Sequence, residues 1–390
     1  MHVFVALFMA LQAALSVPQQ HPAPDGGFWH RAIQAVFGAD AAAFAPGPSR
    51  TDAAADPQPD APKIKGIYVT AHSAGGQRMA SLLDLVDKTG LNAMVIDIKD
   101  DYGYITYKTD NPELLKLGTD QNYIRDIRQL MATLKRHEIY PIARIVVFKD
   151  SVLAKKHPEL SFRKGDGSVW ANGKGDSFVN PYNKEVWDYN VAIAKEAAKL
   201  GFKEIQFDYV RFPEGFENKA DYLTFKRTDE SRTDIVAGFV KYAREQLAPL
   251  GVRVSVDIFG YAASVPAAEG IGQDFVKISE SVHVISPMIY PSHYSAGWFG
   301  QKNPDMAPYA TVKGAMDDTH EKLEPLGANK PIIRPWIQDF TASWLGKGHY
   351  TKYGAAEVSA QIKALKDSGI NEFLLWNAGN RYTADAAFGE

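Results

Sequence analysis

From Lys63 to the C-terminus the chain alternates short β-prone runs with longer segments of helical periodicity, and this alternation constrains its fold most. Strands that alternate with helices form parallel βαβ units. Eight such units in about 320 residues are typical of a closed (β/α)8 TIM barrel. The eight predicted strands are residues 66–72, 93–99, 141–148, 204–211, 253–259, 283–290, 331–338 and 372–377.

An open, doubly wound α/β sheet is the alternative fold. Its strands are covered by helices on both faces, so they are expected to be continuous apolar runs. The strands here carry polar residues on one face, mostly toward their C-terminal ends, where barrel active sites lie. We therefore predict an α/β protein with a (β/α)8 TIM barrel over residues 63–390. The polar-face residues are Tyr68, Thr70, His72, Asp97, Lys99, Arg144, Gln206, Asp208, Ser255, Asp257, Ser286, Tyr290, Arg334, Trp336, Gln338 and Trp376.

The N-terminal region differs in composition from the barrel. Residues 3–15 are a continuous apolar run with the length of a signal-peptide core, too short to span a bilayer easily. We predict a signal peptide over residues 1–17, and hence export to the periplasm or the extracellular space; a buried N-terminal helix is the alternative. Residues 18–62 are rich in Ala, Pro, Asp and Gly, which is typical of a disordered linker. We predict no integral membrane segment.

Composition and motifs argue against several other classes of function. The chain has no cysteine, which excludes disulfides, cysteine nucleophiles and thiolate metal sites. A formal net charge of −3 argues against a nucleic-acid partner. No glycine-rich phosphate loop follows the first strand, and His72 lacks the second histidine of a zinc hydrolase site. We expect no cofactor and no metal.

Two aspartates, Asp208 and Asp257, lie on neighbouring predicted strands at similar height, with side chains toward the barrel interior. A pair of carboxylates that flanks the substrate is the minimal equipment for glycoside hydrolysis. Arg144 and Arg211 would favour an ionised Asp208. We therefore assign Asp208 as nucleophile or stabilising carboxylate and Asp257 as acid/base, with Glu214 as a reserve acid.

The long loops at the predicted mouth are rich in aromatic residues. Flat apolar rings with a polar edge suit the faces of sugars, so we predict an oligo- or polysaccharide partner. The oligomeric state is left open. The predicted substrate-binding residues are His72, Asp97, Lys99, Arg144, Arg211, Tyr290, His293, Trp298, Arg334, Trp336, Gln338, Trp376 and Asn377.

Six motifs together resemble a bacterial family described as putative glycoside-hydrolase domain proteins. In chain order they are KGIYVTAHSAGG, VIDIKDDYG, FDYVRFP, SPMIYPSHY, IRPWIQDF and LLWNAGN, within residues 63–383. The resemblance implies a TIM barrel related to α-amylase-like enzymes, in which a strand-4 aspartate is the nucleophile, at the place of Asp208. Those enzymes have a glutamate acid/base at the end of strand 5, where this chain has Asp257, and a third carboxylate after strand 7, near Asp339.

We therefore expect an exported hydrolase of glycosidic bonds in a polysaccharide or cell-envelope glycan. Two other hypotheses stay open. One is a non-catalytic glycan-binding barrel in the cell envelope. The other is a metal-dependent deacetylase or lyase that uses oxygen ligands from Asp97, Asp100 and Asp101. The paired aspartates would then be structural ion pairs with Arg144 and Arg334.

Overall fold

The structure, a computed structural model, describes residues 56–389. The predicted signal peptide and residues 18–55 of the predicted linker lie outside the described residues. The described strands are β1 (Lys65–Val69), β2 (Ala93–Lys99), β3 (Tyr140–Val146), β4 (Glu204–Asp208), β5 (Arg253–Phe259), β6 (Val284–Ile289), β7 (Ile332–Ile333), β8 (Trp336–Gln338) and β9 (Phe373–Trp376).

The strands form one closed parallel sheet. Consecutive strands pair from β1 to β6, β6 pairs with both β7 and β8, β8 pairs with β9, and β9 returns to β1. β7 and β8 occupy the same position in the barrel and are separated at Pro335, which has no N–H to donate to the ladder. The sheet therefore has eight strand positions, which confirms the predicted (β/α)8 barrel and excludes the open sheet.

Helices cover the outside of the barrel, and their ends follow from the sequence. Side chains of Asn183 and Ser231 accept hydrogen bonds from the first turns of their helices, and Gly201 ends a helix in the left-handed conformation (φ 107°). No helix in residues 56–389 has both the length and the apolar character needed to cross a bilayer. The helices are α1 (Ala71–Ala74), α2 (Arg78–Lys88), α3 (Pro112–Leu117), α4 (Ile127–Arg136), α5 (Ser151–Lys156), α6 (Lys184–Leu200), α7 (Arg232–Leu247), α8 (Phe275–Ser279), α9 (Pro308–Leu323) and α10 (Ala355–Asp367).

Strand β4 shows how the alternation of its residues positions the site. Ile205 and Phe207 are fully buried in the large apolar cluster outside the barrel, and the ring of Phe207 lies 5.4 Å from that of Phe239 on α7. Gln206 and Asp208 therefore face the barrel interior, because successive side chains of a strand point to opposite faces. The apolar contacts on the outer face hold Asp208 in the interior.

Residues just before the first strand contact the N-terminal end of the barrel. The Arg253 Nε donates to Asp56 Oδ1 at 2.8 Å, and Gln58 Nε2 donates to the carbonyl oxygen of Gly251 at 2.7 Å. Both partners lie at the start of β5. The C-terminal end of the predicted linker is therefore held against the barrel, and the compact unit begins at Asp56.

Candidate active site

Four charged side chains lie inside the barrel on four consecutive strands. Asp97 on β2 is opposite Arg144 on β3, and Val146 on β3 is opposite Asp208 on β4. The register of β4 with β5 pairs Phe207 with Val256, so the next residues along, Asp208 and Asp257, are neighbours. All four charged residues are at most 6% exposed. The parallel register therefore brings a compact group of buried charges to one end of the barrel.

Arg144 is at the centre of this group. Its Nε and Nη2 donate to Asp208 Oδ2 at 3.0 and 2.6 Å, and its Nη1 donates to Asp97 Oδ1 at 2.7 Å. The same Nη1 lies 3.2 Å from Asp101 Oδ2. Burial alone would lower the pKa of Arg144, but the three carboxylates raise it well above its usual value. One permanently charged guanidinium thus holds three acidic side chains together.

Asp208 accepts a further hydrogen bond at its other oxygen. The backbone N–H of Tyr209 donates to Asp208 Oδ1 at 2.6 Å. Tyr209 itself has a left-handed backbone (φ 51°), which is uncommon and strained for a residue other than glycine. Asp208 thus accepts three N–H donors, two of them from the Arg144 cation, and this arrangement suits a nucleophile or a charge-stabilising group.

Asp257 has the opposite environment. The indole Nε1 of Trp336 donates to its Oδ1 at 2.7 Å, and the residue is 2% exposed. Burial raises the pKa of Asp257 well above its usual value, and the nearby negative charge of Asp208 raises it further; the Trp336 hydrogen bond and Arg144 oppose the shift. A carboxyl group with a raised pKa keeps its proton to a higher pH than an ordinary one, which suits a proton donor.

Aromatic rings line the interior around these charges. Trp376 stacks on Tyr68 with ring centroids 4.1 Å apart and meets Trp336 edge-on at 5.5 Å. The Arg144 guanidinium lies over the rings of Tyr68 and Trp376, at 5.5 and 5.6 Å. Burial, with the charges of Asp257 and Asp208, raises the pKa of Tyr290, so its hydroxyl stays protonated. Trp376 alone of these four rings is half-buried rather than buried, so we expect it to face a bound sugar.

The acidic loop after β2 is organised by hydrogen bonds. Asp100 Oδ1 accepts the backbone N–H groups of Tyr102, Gly103 and Tyr104, at 2.9 to 3.0 Å. Asp101 pairs with Arg144 and with Lys149, whose charges lower the pKa of Asp101 although burial opposes them. Within residues 56–389 no group of three or more His, Asp or Glu side chains is arranged to hold a metal ion. The carboxyl groups of Asp100 and Asp101 are instead engaged by backbone N–H groups and by the cations of Arg144 and Lys149.

Two predicted substrate-binding residues lie away from the mouth, and these placements were wrong. The register between β2 and β3 shifts between Asp97 and Lys99, which breaks the alternation. Lys99 Nζ consequently lies outside the barrel, 2.7 Å from Asp150 Oδ2, and both side chains are fully buried. Arg334 lies deep in the barrel, where it bonds Glu204 at the start of β4 and Glu372 just before β9, both at 2.8 Å.

Three further predicted residues contact loops. His72 is exposed on α1 rather than on a strand, because β1 ends at Val69. Gln338 is fully buried; its Nε2 donates to Asp305 and its Oε1 accepts the N–H of Ser292. Asn377 Nδ2 donates to the carbonyl oxygens of Asp339 and Arg381. The polar groups of Gln338 and Asn377 thus hold loops around the mouth.

Arg211 follows β4 and borders the site. Its guanidinium lies over the rings of Tyr209 and Phe259, at 4.9 and 4.8 Å, and its Nη2 is 3.3 Å from Glu214 Oε1. Glu214, the predicted reserve acid, is thus paired with Arg211. The third carboxylate that the α-amylase likeness implies, Asp339, accepts hydrogen bonds from the backbone and hydroxyl of Thr383, at 2.8 and 2.7 Å.

The loop after β6 contributes His293 and Trp298. The His293 ring lies 5.1 Å from that of Tyr290, and burial, with the charge of Lys174, lowers the pKa of His293 to about 4. His293 is therefore neutral at physiological pH. Trp298 is half-buried and packs edge-on against Tyr294 at 5.4 Å.

Tyr68 and Tyr209 are the residues that sequence analysis did not assign to the site. The Tyr68 hydroxyl donates to Asp97 Oδ2 at 2.6 Å. The alternation of β1 did place Tyr68 on the polar face, so the signal was present. The left-handed backbone of Tyr209 has no sequence signal, because glycine is the residue that usually marks such a position.

Comparison with known families decides the class of the protein. A family model described as "Putative glycosyl hydrolase domain" matches residues 66–382. The chain belongs to this family. The matched range includes Asp97, Arg144, Asp208 and Asp257, and membership makes the chain a glycosyl hydrolase in its general class. No curated protein matches the chain.

Solved structures include both a sequence relative and distant barrels. A hypothetical protein from Ruminiclostridium thermocellum ATCC 27405 is 37% identical over 49% of this chain and 96% of its own, with a TM-score of 0.45. The PgaB (BpsB) glycoside hydrolase domain from Bordetella bronchiseptica is 12% identical, covers 81% of this chain and 94% of its own, and has a TM-score of 0.56. The α-galactosidase TtGalA from Thermus thermophilus, in complex with stachyose, is 12% identical over 85% and 66%, with a TM-score of 0.50. The two distant glycosyl hydrolases share the fold of this one.

Proposed function

We propose that this glycosyl hydrolase cleaves a polysaccharide or cell-envelope glycan with Asp208 as nucleophile or stabilising carboxylate and Asp257 as acid/base. The contrast between the two carboxyl groups carries the proposal. Asp208 accepts three N–H donors, two of them from Arg144, whereas Asp257 is buried and has a raised pKa. Neighbouring carboxyl groups whose environments separate their protonation states mark the acid and the base of a hydrolase site.

The proposed reaction follows from these states. Asp257 donates its proton to the glycosidic oxygen as the bond to the anomeric carbon breaks, while Asp208 attacks or stabilises that carbon. Asp257 then removes a proton from the incoming water. Neighbouring strands lie about 4.8 Å apart, which favours the close carboxyl groups of a retaining enzyme over the wider spacing of an inverting one.

We also propose that the protein acts outside the cytoplasm. The apolar run at residues 3–15 supports export, and a cell-envelope glycan would be reached there. Cell fractionation of the producing bacterium, with an antibody against the barrel, tests this. Recovery of the full-length chain in the cytoplasm alone would contradict it.

A glycan panel tests the activity itself. We expect purified barrel to release reducing ends from at least one of peptidoglycan, chitin, partially deacetylated poly-N-acetylglucosamine, amylose and a galactan. Unchanged activity in the presence of EDTA would remove the metal-dependent hypothesis. Tight binding of a glycan with no hydrolysis, and no loss of binding on changing Asp208 or Asp257 to Asn, would support the non-catalytic glycan-binding barrel instead.

Replacement of Asp257 by Asn should change the pH profile as well as the rate. Asp257 acts as an acid only while it is protonated, so activity should fall as pH rises through the pKa of Asp257 in the folded enzyme. Because that pKa is raised, wild-type activity should persist to a higher pH than an ordinary carboxylic acid allows. In Asp257→Asn we expect kcat on the glycan to fall about 10²- to 10⁴-fold and the alkaline decline to disappear.

Aryl glycosides provide the control for this variant. A leaving group such as 2,4-dinitrophenolate departs without a proton, so Asp257→Asn should cleave such a substrate at nearly the wild-type rate in the first step. An alkaline decline that persists unchanged in Asp257→Asn would assign the acid to another residue.

A further inference from the structure

Protein donors occupy both oxygens of the Asp97 carboxyl group, which argues against the substrate contact that the sequence predicted. Asp97 is 3% exposed. Its Oδ1 accepts Arg144 Nη1 at 2.7 Å, and its Oδ2 accepts the Tyr68 hydroxyl at 2.6 Å. The carboxyl group of Asp97 therefore joins β1 to β3 through its two oxygens. Its contacts are with protein groups that themselves reach the site.

Arg144 links Asp97 to Asp208, so the position of Asp97 affects the orientation of Asp208. A guanidinium is rigid and planar, so holding one of its edges fixes the direction of the other. Nη1 is held by Asp97, and the opposite edge, Nε with Nη2, faces Asp208. The Tyr68 and Trp376 rings pack against the guanidinium and limit its tilt. Tyr68, Asp97 and Arg144 thus form one hydrogen-bond chain that ends on Asp208.

This hydrogen-bond chain distinguishes the two oxygens of Asp208. Each carboxylate oxygen has two lone-pair sites for hydrogen bonds. Oδ2 accepts two N–H groups of Arg144, which uses both sites. Oδ1 accepts the N–H of Tyr209, which leaves one of its sites without a hydrogen bond among the described contacts. The geometry leaves Oδ1 as the oxygen that is able to react.

We propose that Tyr68 and Asp97 are positioning residues that act through Arg144 to present Asp208 Oδ1 to the anomeric carbon of the substrate. The inference rests on the proposed role of Asp208 and adds the reacting atom and two residues. The Oδ1–carbon bond forms as the glycosidic carbon–oxygen bond breaks, and the leaving oxygen takes the proton of Asp257. Water later attacks the anomeric carbon, the bond from that carbon to Oδ1 breaks, and Asp257 takes a proton from the water.

The kinetic test uses Tyr68→Phe and Asp97→Ala with the panel glycan that wild type cleaves fastest. Misplacing a reacting group by about 1 Å costs on the order of 10²-fold in rate, so we expect kcat to fall about 10- to 100-fold with KM within about twofold. Asp97→Asn keeps an acceptor for Arg144 and should restore part of the loss. A purely structural role would lower the melting temperature without this separation of kcat from KM.

Tyr107→Phe is the matched control for Tyr68→Phe. The Tyr107 hydroxyl also donates to a carboxylate, Glu196 Oε1, at 2.6 Å, and Tyr107 is 2% exposed. This pair lies against α6 outside the barrel, so its loss should leave kcat unchanged. An equal fall in kcat for both Tyr→Phe variants would overturn the proposal.

A crystal structure of Asp97→Ala provides a second arm that needs no substrate. We expect the Arg144 guanidinium to rotate and lose at least one of its two bonds to Asp208 Oδ2. Both bonds retained, or wild-type kcat in folded Tyr68→Phe and Asp97→Ala, would overturn the positioning role. Failure of the proposed function is a different result, in which wild type hydrolyses no glycan or Asp208→Asn keeps full activity.

Discussion

Replacement of Asp208 by Asn should lower kcat on the cleaved glycan by about 10³- to 10⁵-fold while the barrel stays folded. Asn is nearly isosteric with Asp, but it cannot form the covalent bond or carry the negative charge that the oxocarbenium-like transition state requires. Initial rates of reducing-end release, with circular dichroism to confirm folding, measure the effect. A folded variant that keeps more than about a tenth of wild-type kcat would contradict the assignment.

Asp150→Asn is the matched control for Asp208→Asn. Asp150 is also a buried aspartate that is paired with a cation, but its partner is Lys99, outside the barrel. Asn still serves as an N-cap for α5. This variant should therefore lose stability and keep kcat at temperatures where it is folded. Asp208→Ala with added azide sharpens the test, because a glycosyl azide product of inverted anomeric configuration would identify Asp208 as the nucleophile.

Replacement of Arg334 by Met should lower the free energy of unfolding by about 3–5 kcal/mol, since it removes the buried cation that Glu204 and Glu372 share. Arg334 is fully buried and bonds both oxygens of Glu204, at 2.8 and 2.9 Å, and Oε2 of Glu372 at 2.8 Å. The urea midpoint of unfolding, at unchanged m-value, measures the loss.

Two further variants test whether the loss of stability comes from the unpaired buried charges. Lys88→Met removes an exposed ion pair with Asp84 on α2, and it should change stability by less than about 0.5 kcal/mol. Adding Glu204→Gln and Glu372→Gln to Arg334→Met removes the unpaired charges and should recover part of the loss. A single Arg334→Met variant that is as stable as wild type would show that the carboxylates are neutral or hydrated in the barrel.

The local sequence pattern predicted the parts of the site that depend only on the alternation of inward and outward residues along a strand. Asp208 and Asp257 were placed in the interior because β4 and β5 alternate regularly, and their parallel register makes them neighbours. The same rule failed at Lys99, where the register with β3 shifts. At Arg334 alternation gave the face but not the depth, since Arg334 pairs with Glu204 and Glu372 at the N-terminal ends of β4 and β9. His72 failed for a third reason, since Thr70 caps a short helix where the strand was predicted to continue.

The sequence by itself determined the barrel and the position of Asp208, because the period of side-chain burial along each strand and helix is a local property. Its motifs indicated the glycosyl hydrolase class. Tertiary structure decided that the pKa of Asp257 is raised and which oxygen of Asp208 accepts both N–H groups of Arg144. Those outcomes depend on burial and on groups that are distant in the chain: Arg144 reaches Asp208 across 64 residues, and Trp336 reaches Asp257 across 79. Protonation and orientation follow from such contacts, which exist only once the barrel has closed.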